Sequence, residues 1–204
     1  MSQGKKLFEQ MDFHLMEDDA PSCFLNGIEE EIFYTSYPFT FISRLKEVPQ
    51  SPLHHPEGNV WNHTMLVVDE AARIKEKSKD KRAFMWAALL HDIGKADTTR
   101  NRKGKITAYD HDKVGTQQAV EFLKFFNEKE DFIEKTSKLI RWHMQILFVV
   151  KSLKFADIAS MKRDTDIEEI ALLGYCDRMG RTGADREAEE GNIESFLHQC
   201  KEIR

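Results

Sequence analysis

The apolar segment at residues 84–91, FMWAALLH, constrains the fold more than any other part of the chain. It is hydrophobic almost all round, which predicts a helix buried on every side at the centre of the molecule. We expect this helix to end near Gly94, because a glycine suits the C-terminus of a helix. His91 and Asp92 close the segment and carry polar side chains directly beside its apolar residues.

Most of the remaining chain has apolar residues at helical spacing. The pattern predicts further helices at 60–77, 110–127, 131–143, 164–179 (capped by Asp166) and 185–203, and shorter ones at 5–16, 23–34 and 39–48. No alternating run is long enough for a sheet, and residues 105–109 are the best strand candidate. The predicted fold class is therefore all-α, a helical bundle at 49–204 with an N-terminal helical extension, 1–48, packed on it.

Composition limits the class of protein. Hydrophobic residues make up 41% and charged residues 32% of the chain, as in ordinary globular domains. No apolar run approaches the roughly 20 residues that span a membrane, the N-terminus lacks the apolar core of a signal peptide, and the three cysteines lie far apart. We expect a cytoplasmic protein without a membrane partner. The net charge of −5 argues against broad nucleic-acid binding but allows a small phosphorylated substrate, because a bound metal reverses the local charge.

Histidines and aspartates beside the predicted helices form a candidate metal site. The residues concerned are His63, His91, Asp92, His111, His143 and Asp177. Imidazole nitrogens and carboxylate oxygens bind divalent metals, and no cysteine at finger-like spacing accompanies them. A carboxylate buried beside imidazoles is costly unless something compensates for it, and metal coordination is the simplest compensation.

Charge favours two ions over one. Asp92 and Asp177 contribute −2, so one divalent ion leaves the site neutral and two leave it at +2, which suits a phosphate ester better. We expect ions roughly 3.5–4 Å apart, bridged by Asp92 and a shared hydroxide. In this arrangement His63, His91, Asp92 and Asp177 hold the first ion, while His111 and His143 complete the second. Such a ligand set accepts Mn, Fe, Co, Ni or Zn, and Mg less readily.

Other residues are candidates for catalysis or substrate binding. Lys95 follows Asp92 by three residues and could contact a phosphate oxygen or help the leaving group depart, or could simply favour a helix C-terminus. His55 could contact substrate, and Glu57 could orient a ligand or a sugar hydroxyl, although both could belong to a structural loop. Arg178 and Arg181 suit phosphate recognition, with pairing to a neighbouring acid as the alternative.

Five motifs in this order resemble a known family. HPEGNVWNHT (55–64), HDIGK (91–95), DHDKVG (110–115), IRWH (140–143) and CDRMGR (176–181) together resemble the HD domain of bacterial tRNA nucleotidyltransferases, the CCA-adding enzymes, within the HD superfamily of metal-dependent phosphohydrolases. The resemblance covers residues 49–181. It implies an all-helical fold, divalent metal and phosphodiesterase or phosphatase activity on nucleotides such as 2′,3′-cyclic nucleotides. Members with two ions have the same order of ligands.

One departure limits what the resemblance implies. Those enzymes place a nucleotidyltransferase domain before the HD domain, whereas some 50 residues precede it here, without paired catalytic carboxylates on a sheet. We therefore expect a standalone phosphohydrolase that uses a metal-activated hydroxide on a nucleotide or other small phosphate ester. Two alternatives remain, a di-iron oxygenase of the HD type and a non-catalytic metal-dependent nucleotide-binding module.

Overall fold

The computed structural model describes residues 2–203 and is almost entirely helical, which confirms the all-α prediction. The helices are α1 (Gln3–Glu17), α2 (Ser22–Asn26), α3 (Glu31–Thr35), α4 (Thr40–Ser43), α5 (Val60–Ile74), α6 (Lys81–Leu90), α7 (Lys95–Thr98), α8 (His111–Phe125), α9 (Glu130–Trp142), α10 (Gln145–Val150), α11 (Ile158–Asp164), α12 (Ile167–Met179) and α13 (Arg186–Glu202). Short 3-10 segments, Arg44–Glu47 and Lys75–Lys77, follow α4 and α5.

Helix α6 lies at the centre of the bundle, as its apolar sequence predicted. Asp80 caps its start by accepting a hydrogen bond from the backbone N–H of Ala83, and each residue from Ala83 to Leu90 is buried. Helices α1, α5, α9 and α12 pack against it. Burial of one side chain such as Phe84 stabilises the fold by about 1.5–3 kcal/mol, so α6 is a rigid support for the residues that follow it.

The N-terminal segment shares this core through α1. Phe8 stacks on Trp86 with ring centres 4.8 Å apart, and on Phe126 with ring centres 4.4 Å apart. Trp86 Nε1 also donates a hydrogen bond to the Asp12 carboxylate at 2.6 Å. Residues before 49 therefore pack on the bundle, while a domain boundary at 48/49 stays a prediction.

The shorter helices differ most from the sequence-based predictions. The helix predicted at 23–34 is divided into α2 and α3, and 39–48 is α4 followed by a 3-10 segment. Helix α12 begins at Ile167, with Asp166 capping it as predicted by accepting from the Glu168 N–H; Asp164 ends α11 instead. Helices α10 and α11 have six and seven residues. Helices this short depend on tertiary packing for their stability, which is why sequence periodicity missed or misplaced them.

Gly94 is needed for a reason other than the predicted one. Helix α6 ends at Leu90, and Gly94 has a right-handed φ of −64° at the start of α7. A Cβ on Gly94 would lie 2.2 Å from the His111 carbonyl oxygen and 2.5 Å from the Gly115 nitrogen. The prediction of a helix C-terminal glycine was therefore wrong, and Gly94 is the point where the turn after α6 touches the backbone of α8.

A small antiparallel hairpin joins α7 to α8. It consists of β1 (Arg100–Arg102) and β2 (Lys105–Thr107), with Asn101 opposite Ile106. The predicted strand at 105–109 contains β2, whereas β1 was not predicted. Within residues 2–203, no helix combines the length and the apolar composition that crossing a bilayer requires.

Candidate metal centre

The predicted ligand residues meet beside the C-terminal end of α6, although they come from five helices. The histidines and aspartates are His63 on α5, His91 and Asp92 just after α6, His111 at the start of α8, His143 just after α9, and Asp177 on α12. All but Asp177 are buried. The sequence separates these residues by up to 114 positions, so the packing of the bundle brings them together.

Asp92 lies between two groups of imidazoles. Its Oδ2 is 3.3 Å from His91 Nε2 and 3.9 Å from His63 Nε2. Its Oδ1 is 3.3 Å from His111 Nε2 and 3.8 Å from His143 Nε2. In each group the potential ligand atoms all lie within 4.8 Å of one another. The two groups share Asp92, an arrangement that can hold two neighbouring cations.

Backbone hydrogen bonds fix the orientation of three imidazoles. Nδ1 of each ring faces the carbonyl oxygen three residues earlier, at 2.9 Å for His91, 2.7 Å for His111 and 2.7 Å for His143. A carbonyl only accepts hydrogen bonds, so Nδ1 carries the proton and Nε2 presents a lone pair. Metal-binding histidines are held in the same way. The Nε2 atoms of His111 and His143 are 3.3 Å apart, so these two lone pairs face each other, and a cation fits there.

Two buried polar atoms in this cluster lack a hydrogen-bond partner among residues 2–203. They are His91 Nε2 and Asp92 Oδ2. Lys95 Nζ is 2.6 Å from Asp92 Oδ2, but the two groups form an ion pair without hydrogen-bond alignment. Buried polar atoms in native proteins are nearly always satisfied. The unsatisfied nitrogen of His91 and the adjacent Asp92 oxygen therefore fit a divalent cation, and the chemistry of the donors agrees with that.

The electrostatic surroundings keep His111, His143 and Asp92 in the forms that bind metal, whereas at His63 burial would lower the pKa but the hydrogen bonds with Asp177 and Glu57 raise it. Burial lowers the pKa of His111, and burial with His111 as a neighbour lowers that of His143 to about 4. Burial alone would raise the pKa of Asp92, but Lys95 and His91 bring it well below its usual value. At neutral pH the two histidines are therefore neutral and Asp92 is ionised.

Asp177 stands slightly apart from the shared carboxylate and contacts His63 instead. Its Oδ1 lies 3.0 Å from His63 Nε2 and 3.7 Å from an Arg181 guanidinium nitrogen. Burial would raise the pKa of Asp177, but Arg181 and His63 hold it well below its usual value. Asp177 therefore supplies negative charge directly at Nε2 of His63.

Glu57 connects the loop before α5 to the cluster. Its carboxylate lies 3.1 Å from His63 Nδ1 and 2.8 Å from His55 Nδ1, and it accepts a hydrogen bond from the Thr182 N–H at 3.3 Å. The Gly180 carbonyl also faces His63 Nδ1, at 3.2 Å. Glu57 therefore contacts two histidines directly and fixes the ring of His63, which matches the ligand-orienting alternative for this residue.

Lys95 and His55 line the cleft that leads to the cluster. Besides its ion pair with Asp92, Lys95 donates a hydrogen bond to Gln50 Oε1 at 2.8 Å. Burial, followed by Lys95 and His63, lowers the pKa of His55 to about 4. A neutral imidazole and an ammonium group thus both line the cleft near the candidate metal ligands.

Arg178 pairs with an acidic residue of α13. Its Nε contacts the Glu189 carboxylate of α13, and its side chain is 9% exposed. The sequence left open whether Arg178 recognises phosphate or pairs with an acid, and the structure shows the pairing. Arg181 remains 29% exposed and close to Asp177.

The cleft beside the cluster has a volume of about 940 Å³. His55, Lys95 and His111 line one part of it, while much of the remaining wall is apolar or aromatic. Sequence reasoning did not identify two polar residues of this wall, Gln50 and Gln145. Neither belongs to a charged or histidine motif, so no local signal marked them.

Comparison with known proteins identifies the family. The HD domain model matches residues 60–162. "Multifunctional CCA protein" of Aromatoleum aromaticum is 51% identical over 167 residues, and that of Halorhodospira halophila is 36% identical over 168 residues. These matches cover 78% and 79% of this chain but 38% of each relative, so the chain spans well under half the length of these relatives. The corresponding protein of Actinobacillus pleuropneumoniae is 33% identical over 117 residues, 56% of this chain and 28% of that protein. With half of its length matched by the family model, the chain belongs to the HD domain family.

Proposed function

We propose that this chain is a metal-dependent phosphohydrolase that acts on a nucleotide or another small phosphate ester. The observation that carries the proposal is the sharing of Asp92 between two buried groups of imidazoles. A carboxylate in that position can bridge two ions, which is the arrangement that in-line displacement at phosphorus uses. Family membership supports metal-dependent hydrolysis as the reaction class.

The ligand roles follow from the distances around Asp92. His63, His91 and Asp92 would hold one ion, with Asp177 beside His63, and Asp92 would hold the second ion together with the two remaining imidazoles, His111 and His143. Divalent ions held there would supply an activated water and positive charge for the phosphoryl oxygens. Mn, Fe, Co, Ni and Zn suit this donor set better than Mg.

The charge of the surroundings suits an anionic substrate. Two aspartates and two divalent ions give the site a net charge of +2. Glu57 and Lys95 carry opposite charges, so together they leave this net charge unchanged. Lys95 lines the cleft and reaches Asp92, so its ammonium would contact a phosphate oxygen or the leaving-group oxygen. Arg181, on the side of Asp177, would add a second cationic contact.

A metal and substrate screen tests the proposal. Metal-stripped protein would be reloaded separately with Mn, Fe, Co, Ni, Zn and Mg and assayed against phosphate monoesters, diesters and 2′,3′-cyclic nucleotides. We expect hydrolysis with at least one ion, lost in Asp92→Asn and retained in Asp131→Asn, an exposed aspartate of α9 (76% exposed side chain).

Three outcomes would contradict it. Full hydrolysis by Asp92→Asn would exclude the shared carboxylate as part of the reaction centre. Oxygen uptake by the iron form without phosphate release would point to the oxygenase chemistry. Tight nucleotide binding without product under every ion would point to a binding module.

A further inference from the structure

A tight turn after α10 forms the apolar wall of the cleft. It covers residues 151–157 and contains no helix or strand. The Leu153 N–H donates to the Phe148 carbonyl at 2.7 Å, and the Ala156 N–H donates to the Leu153 carbonyl at 3.0 Å. Ser152 adopts a left-handed φ of 48°, which reverses the chain so that the turn folds back over α10.

A buried glutamine forms hydrogen bonds to two residues of this turn. Gln145 is 3% exposed. Its amide nitrogen donates to the Phe155 carbonyl at 3.3 Å, and its amide oxygen accepts from the Asp157 N–H at 2.8 Å. One side chain thus uses both of its polar ends on the turn, which holds the backbone of Phe155 in place.

The wall of the cleft is formed here by three apolar residues of the turn, by Phe148 of α10, and by two charged residues of the turn, Lys154 and Asp157. The rings of Phe148 and Phe155 are 5.5 Å apart at an angle of 51°. Phe155 is 51% exposed, and Lys154 Nζ lies 5.2 Å from the centre of its ring. Tyr109 also lines the cleft and is 69% exposed. Large aromatic side chains left exposed in one cleft mark a binding surface.

We propose that the turn at 151–157 binds a planar aromatic group of the substrate, with Phe155 as the stacking residue. The proposal rests on the proposed function, because the same cleft continues to Lys95 and His111. A phosphate group alone needs only the polar end of the cleft. The volume of about 940 Å³ lies in the range of roughly 300–1,000 Å³ that holds larger organic ligands. The apolar wall therefore accounts for the part of the substrate that carries no charge.

Ring stacking explains why an exposed phenylalanine would serve here. A flat ring stacks on any planar π-system, and removing one such contact weakens binding by about 10-fold to 100-fold. Lys154 Nζ lies over the Phe155 ring, 5.2 Å from its centre, so its ammonium would add a cationic contact for an anionic or polar edge of the ligand. Gln145 acts as a positioning residue, since its buried amide holds the turn that carries Phe155.

The test measures binding of uncharged ligands to the metal-free protein. Adenosine, phenol and ribose would be titrated against wild type, Phe155→Ala, Phe155→Trp and the control Phe13→Ala, with chemical-shift changes as the readout. Phe13 is exposed on α1 (60%) and does not line the cleft. We expect an aromatic ligand to bind and ribose not to bind. The affinity should fall about 10-fold or more in Phe155→Ala, and Phe155→Trp and Phe13→Ala should bind as wild type does.

The outcomes separate this inference from the proposed function. Binding of adenosine alone identifies a nucleobase as the aromatic group, and equal binding of phenol identifies any aryl ester; both support the inference. Equal affinities of Phe155→Ala and Phe13→Ala, or no binding of either aromatic ligand, would overturn it. Because these ligands carry no phosphate and the protein carries no metal, a protein without hydrolytic activity would still give a clear answer.

Discussion

Replacing Gly94 by alanine should disturb the candidate metal centre without replacing any proposed ligand. The φ of −64° at this position suits alanine, so backbone conformation does not oppose the change. Steric overlap opposes it, because the new Cβ would lie 2.2 Å from the His111 carbonyl oxygen. An ordinary contact begins at 3.4 Å, so the turn after α6 and the start of α8 must separate by about 1.2 Å, the difference between these two distances.

The size of the effect follows from the kind of atoms involved. Both close contacts, with the His111 oxygen and the Gly115 nitrogen, are to backbone, and backbone in a packed bundle yields less readily than a side chain. Overpacking of this kind destabilises a protein by about 1–3 kcal/mol. For a chain of this length each kcal/mol lowers the melting temperature by about 2–4 °C. Because His111 moves with α8, the affinity for the second metal ion should also fall.

Thermal unfolding of the metal-free protein and calorimetric titration with Mn²⁺ would measure both effects. Gly191→Ala is the matched control, because Gly191 lies within α13 and a Cβ there meets nothing within 4 Å. That control should raise stability by up to about 1 kcal/mol, since alanine is the better helix former. A Gly94→Ala protein that melts at or above the wild-type temperature and binds metal equally well would exclude a steric clash between this position and α8.

Three further substitutions separate the roles of residues near the centre. Glu57→Ala should weaken metal binding by about 10-fold to 100-fold, because it removes the charged one of the two acceptors at His63 Nδ1; calorimetric titration would measure this, and an unchanged affinity would exclude the orienting role. Lys95→Ala should tighten binding of the first ion while lowering kcat, because the ammonium 2.6 Å from Asp92 opposes a cation; weaker metal binding would contradict this. Arg178→Ala should lower the free energy of unfolding by about 1–3 kcal/mol, because its partly buried acidic partner on α13 loses one charged hydrogen bond, while KM should not change; a raised KM with normal stability would show that it binds substrate.

The main helices and the set of clustered residues were predictable from sequence because both leave local signals. Helical periodicity marks α5, α8 and α9, whose apolar faces are continuous over several turns. The side chains at the centre are histidines and aspartates next to those faces, which is an unusual place for polar groups. The residue types alone therefore predicted a candidate metal site, without the distances between the side chains.

Side-chain directions and short elements were not predictable in the same way. Arg178 and Arg181 read alike in sequence, yet one faces α13 and the other stays near Asp177, and only the packing of α12 decides between them. The side-chain amide of Gln145 forms its hydrogen bonds with residues ten and twelve positions away. These bonds to the turn at 151–157 therefore exist only in the folded chain. Gly94 was noticed for the wrong reason, because sequence does not show which backbone will approach it.

Anomalous diffraction from crystals loaded with Mn²⁺ would show whether Asp92 is shared between two cation sites. We expect two anomalous peaks, one in contact with His63, His91 and Asp92, the other in contact with Asp92, His111 and His143. A single peak, or peaks that do not touch Asp92, would contradict it.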